Sequence, residues 1–95
     1  MSFQCTVVTP EQEVLDQSVK QVILPAFDGL IGILTDRAPM LARLGKGPLR
    51  IDPAQGPSVS YLIDGGVAQM KDNKLTILTQ KAQPAPSNPP PAANT

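Results

Sequence analysis

A chain of 95 residues has room for one small domain with little core to bury. Eight basic side chains balance eight acidic ones and aromatic residues are 3%, which argues against nucleic-acid binding, whether by bulk charge or by base stacking. A single cysteine excludes an internal disulfide framework, and the lack of histidine removes the commonest general base and metal ligand.

Taken from the N-terminus, MSFQCTVV lacks the charged region and long apolar run of a signal peptide. Its period is two. Phe3, Cys5 and Val7 share one side, and Gln4, Thr6 and Val8 the other. That alternation predicts a strand buried on one face. Thr9-Pro10-Glu11 ends it, and a second strand is expected near Ser18 to Leu24, broken by Pro25-Ala26-Phe27-Asp28-Gly29. MLARL, Met40 to Leu44, is too short for a stable helix between Pro39 and Gly45, and is expected as irregular backbone or strand. Gly45-Lys46-Gly47-Pro48 then precedes a strand at Leu49 to Asp52.

Beyond Pro53-Ala54-Gln55-Gly56-Pro57, SVSYLID and KLTILT again alternate. Asp64-Gly65-Gly66 is expected to divide two strands. Asp72-Asn73 stands between VAQMK and KLTILT as a two-residue hairpin turn. Short alternating runs with Gly and Pro turns indicate an all-β sandwich or barrel. From Gln83 the chain reads QPAPSNPPPAANT, which has almost no large apolar side chain and is expected to be a disordered, Pro-rich tail. Residues 1–82 then form the domain and 83–95 the tail. No apolar run is long enough to span a membrane as a helix, and a soluble, cytoplasmic chain is expected.

Catalytic chemistry finds little support. Cys5 lies on the apolar side of its strand, where packing explains it better than nucleophilic attack. Asp28, Asp64 and Asp72 adjoin Gly or Asn, where Asp supports turns. The Gly45-Lys46-Gly47 run fails the phosphate-loop pattern at both ends, with Met40 at the first Gly position and Gly47 at the Ser/Thr position. Arg43, Lys46 and Arg50 make a small basic group that a partner carboxylate could use. Phe27, Leu30 and Ile31 surround a Gly turn, and either project as an apolar contact surface or enter the next strand and are buried.

The order of these features resembles the N-terminal domain of the ATP synthase epsilon subunit. The resemblance rests on VVTPEQEVLD, the Gly turn before Gly32-Ile33, Ala38-Pro39, the Gly47 turn into a strand ending at Ile51, Gly65-Gly66, and KLTILT. It runs from Phe3 to Lys81. It implies a small two-sheet β-sandwich or flattened barrel of about ten short strands. It also implies a non-catalytic rotor role, in which the domain binds the gamma subunit and rests on the ring of c subunits. Rotation driven by protons or sodium ions then reaches the catalytic alpha/beta head, at the cytoplasmic face of the energy-transducing membrane.

By the same resemblance, Phe27, Asp28, Gly29 and Leu30 are expected to contact the c-ring, and Thr9, Arg37, Met40, Leu41 and Ala42 the gamma subunit. Family members often carry an acid where this chain has Leu30 and a histidine where it has Arg37. No cofactor, metal or nucleotide site is expected, because the Pro-rich segment replaces the helical hairpin with which longer members continue. A free-standing β-barrel binding module, with its Pro tail as ligand for a proline-recognising domain, is the alternative.

Overall fold

The computed structural model describes residues 2–35 and 38–85. Its elements are all strands: β1 (Phe3–Val8), β2 (Glu13–Ala26), β3 (Gly29–Leu34), β4 (Met40–Pro53), β5 (Val59–Lys71), β6 (Lys74–Leu78) and β7 (Ala82–Ala85). Alternation produces the expected burial in β1 and β6. Phe3, Cys5, Val7, Leu75 and Ile77 are buried, and Cys5 and Val7 stand opposite Leu75 and Ile77 in the parallel β1–β6 pair.

The hydrogen-bonded order β1-β6-β5-β4-β2 closes on itself through β1–β2, with β3 attached to β2 and β7 to β5. Three strands are long enough to serve both layers of this flattened barrel. Residues 13–19 of β2 pair with β1, while residues 21–26 pair with β3. Residues 67–71 of β5 pair with β6, while residues 60–63 pair with β7. Along its length β4 pairs with β5 throughout, and it also pairs with β2, near Ile51 and again, past a register shift, at Leu44. Counting each half of β2, β4 and β5 separately gives ten segments, the number the family resemblance implies.

Two expected breaks are therefore bends inside continuous strands. Lys46 and Gly47 lie within β4, opposite Asp64 and Ile63 of β5. Gly65 and Gly66 lie within β5, with φ of 76° and 119°. A Cβ on Gly66 would sit 2.0 Å from the Leu78 carbonyl oxygen, so only glycine lets β5 pass this close to the end of β6. MLARL is strand and opens β4. Pro25, also expected to end a strand, lies in β2 where the β2–β4 register shifts, so its missing N–H removes no ladder bond there.

Asp72 and Asn73 form the predicted hairpin turn, with φ of 53° and 59°. The sequence reading closes the folded part at Ala82, but pairing continues to Ala85: Gln83, Pro84 and Ala85 stand opposite Leu62, Tyr61 and Ser60. Pro84 is tolerated because β7 pairs on one side only. The expected tail from residue 86 onward lies outside the described residues.

Leu24, Ile33, Leu49, Ile51, Ile63 and Met70 fill the space between the sheets. Each such side chain contributes roughly 1.5–3 kcal/mol through burial. This core fixes which side of every strand faces out, and hence the surface described next.

Candidate partner-contact surface

The β2–β3 hairpin turns at Phe27 and Asp28, between the paired Ala26 and Gly29. Phe27 is 70% exposed and Leu30 69%, while Ile31 packs against the core. The two alternatives for this turn thus divide by residue: Phe27 and Leu30 project, and Ile31 turns inward. Asp28 and Gly29 are exposed between them.

The five residues expected on the gamma side do not behave alike. Leu41 points outward and is 73% exposed. Its neighbour Met40 packs against the core, as strand alternation requires. Ala42 is half-buried. Thr9 is only 8% exposed, and its hydroxyl accepts from the Gln12 backbone N–H at 3.3 Å, so it supports the β1–β2 turn. Arg37 lies outside the described residues.

The structure brings the two expected groups together. Phe27, Asp28 and Ala42 line one open depression with Ile31 and Arg43. The Phe27 N–H donates to the Arg43 carbonyl at 2.8 Å, and the Arg43 guanidinium carbon lies 5.4 Å from the centre of the Phe27 ring. One hydrogen bond and one cation–π contact thus tie the projecting turn to the strand that carries Leu41 and Ala42.

Arg43 also begins an outward row. Arg43 stands opposite Val67, Val67 opposite Leu78, and Leu78 opposite Val8. Val67 and Leu78 are large apolar side chains left open to solvent. With Pro10 and Gln80 this row lines a groove of about 440 Å³. The row thus sets exposed apolar surface beside a cation. The sequence carried its signal, because Val8 and Leu78 are apolar on the polar side of their strands. Only the register shows that they adjoin.

Elsewhere the polar groups serve the fold. Burial first, and the Asp16 carboxylate second, push the Cys5 thiol up to about 12, so it stays protonated and unreactive. The Ser58 hydroxyl and then Arg50 hold the Asp52 carboxyl below its usual range, against the opposing effect of its burial. Among the described residues no three His, Cys, Asp or Glu side chains gather as metal ligands would.

Residues 2–85 match the family model for the ATP synthase delta/epsilon chain β-sandwich domain. An ATP synthase epsilon chain from Rhodopirellula baltica is 48% identical over 84 residues, covering 88% of this chain and 65% of that relative. The chain thus spans just under two thirds of that relative's length. Two solved structures share the fold. A chain in the Euglena gracilis mitochondrial ATP synthase (OSCP/F1/c-ring, rotational state 1) superposes with a TM-score of 0.83 at 24% identity, covering 87% of this chain and 53% of that one. A chain in the central stalk/c-ring of Tetrahymena thermophila mitochondrial ATP synthase gives 0.74 at 22%, covering 83% and 63%. With all its described residues inside the matched span, this chain belongs to the ATP synthase delta/epsilon β-sandwich family and carries the N-terminal domain of the epsilon type.

Proposed function

We propose that this chain is a non-catalytic part of the central stalk of an F-type ATP synthase, coupling rotation of the c-ring through the gamma subunit to ATP synthesis in the alpha/beta head. The observation that carries the reading is the joined contact surface. The projecting Phe27–Leu30 turn and the outward face of β4, β5, β6 and β1 meet at Arg43. Family membership supplies the setting, and the surface supplies the means.

In this reading Phe27, Asp28, Gly29 and Leu30 rest on the c-ring. Leu30 offers an aliphatic side chain rather than a charge, so the contact there is by packing, and Asp28 is the acid available to a basic group of the ring. Leu41, Ala42 and the turn supported by Thr9 face gamma, with Arg37 assigned to the same side and Met40 supporting that strand from within. The domain reaches the membrane only through the assembly, at the face of the energy-transducing membrane that bears the catalytic head.

The test is affinity capture from native membranes with a tag fused after Thr95, read by mass spectrometry. Joint recovery of gamma, beta and c subunits is the expected result. Clean capture of the chain without any synthase subunit would overturn the reading.

A further inference from the structure

The geometry points to Arg43 as the specificity-determining residue of the groove beside it, where it binds a carboxylate on an otherwise apolar segment of the gamma subunit. The inference rests on the stalk role proposed above and adds the chemistry of the contact. Three observations carry it. Among the described residues the one ion pair is Arg50–Asp52, so Arg43 is a guanidinium without an acid of its own. Its groove has an apolar floor of Val8, Pro10, Val67 and Leu78. Its position is already restrained, because the Phe27 ring lies under the guanidinium carbon at 5.4 Å.

The third observation decides what kind of group Arg43 takes. The contact with Phe27 acts through the charge of the guanidinium and uses none of its N–H donors in a hydrogen bond. Those donors lie in the guanidinium plane and stay available at the edge. A carboxylate accepts two of them side by side, which a hydroxyl or an amide cannot match in both charge and geometry. Phe27 also limits part of the side-chain freedom that Arg43 loses on binding. An acid flanked by aliphatic residues satisfies the groove at both ends: the aliphatic groups cover Val67 and Leu78, and the carboxylate meets the fork.

Arg43 also lines the depression beside Phe27 and Asp28. Its own Asp28 is the competing acid, and the described structure contains no ion pair between them. A lysine in place of Arg43 would keep the charge but lose the fork, which separates a carboxylate-reading role from simple attraction.

The experiment measures binding of the full chain to the gamma subunit encoded in the same genome, by titration calorimetry at low and high salt. The variants are Arg43→Lys, Arg43→Gln, Arg43→Glu and Phe27→Leu, with Lys20→Gln as a surface-charge control; thermal melting verifies that each is folded. Expected are a loss of at least about tenfold for Arg43→Gln, a larger loss for Arg43→Glu, an intermediate one for Arg43→Lys, and a smaller one for Phe27→Leu. Recovery of Arg43→Glu by reversing a single gamma carboxylate to arginine identifies the partner group. Wild-type binding that is indifferent to every Arg43 variant overturns this inference and leaves the stalk role standing. Absence of wild-type binding to gamma overturns both.

Discussion

The Thr79 hydroxyl donates to the Gly65 carbonyl across 2.7 Å, and the Thr79 backbone N–H donates to the Val8 carbonyl at 3.0 Å. One buried residue thus joins the bend in β5 to the end of β1. The bond holds the place where β5 leaves β6 and moves on to β7. Thr79→Val removes the donor and leaves the Gly65 carbonyl without it. Urea unfolding should show a loss of about 1–3 kcal/mol, and an unchanged midpoint would show that water replaces the hydroxyl.

The two glycines at this bend should respond differently to alanine. Gly65 has nothing within 4 Å of a built Cβ, so Gly65→Ala meets only the backbone cost of its φ of 76°, about 1–2 kcal/mol. Gly66→Ala would collide with the Leu78 carbonyl at 2.0 Å. The expected loss is at least about 3 kcal/mol, enough to unfold a domain this small. Equal stability of the two variants in the same unfolding assay would contradict the geometry.

Cys5 should be silent toward thiol reagents until the barrel opens. Its thiol is fully buried and pushed up to about 12. Labelling at pH 8 should therefore follow the rate of global unfolding rather than reagent concentration. The shift also has a sign in stability. The folded state keeps a proton that the unfolded thiol releases near pH 9, so this contribution is complete below that pH and is lost as pH rises toward 12. Cys5→Ala should flatten that alkaline limb.

Asp52 should contribute to the acid limb. Its carboxyl is held below its ordinary value by Ser58 and Arg50, so the folded state favours the charged form. The stabilisation is present above the unfolded value of about 4 and is lost as pH falls through the lower folded value. Asp52→Asn should make thermal stability less dependent on pH below about 4. An unchanged acid limb would assign it to other carboxylates.

The two parts of the contact surface should be separable by substitution. Leu41 and Leu78 are exposed, so Leu41→Gln or Leu78→Gln should change stability by less than about 0.5 kcal/mol. In the stalk reading each should weaken gamma binding by at least about fivefold. Leu30→Gln should leave gamma binding unchanged and weaken association with detergent-solubilised c-ring. Equal effects of all three on both partners would merge the two surfaces into one.

Much of the fold was legible from the period of two. Phe3, Cys5, Val7, Leu75 and Ile77 are buried as their alternation requires, and Asp72-Asn73 turns as its residue types require. What escaped was continuity. Gly47, Pro48, Gly65 and Gly66 look like strand ends in one dimension, yet β4 and β5 run through them, because a bend inside a strand uses the same residue types as a turn. The strand character of Gln83–Ala85 escaped for a related reason: it depends on pairing with residues 60–62, which local composition does not report. In the contact surface, Phe27 and Leu30 could be singled out from their turn. The meeting of Arg43 with Phe27, and the row from Arg43 to Val8, exist only once the strands are in register.

The passage of β2, β4 and β5 through both sheets has a mechanical consequence. In a sandwich whose layers are joined only by loops, a sideways load is carried by side-chain contacts, and the layers creep over one another as contacts exchange. Here three polypeptide spans cross from one layer to the other in extended form, already drawn out close to full length. Shearing the layers must stretch those spans or strip their ladders, and both resist steeply from the first fraction of an ångström. The body therefore resists torsion through its backbone as well as its side-chain packing.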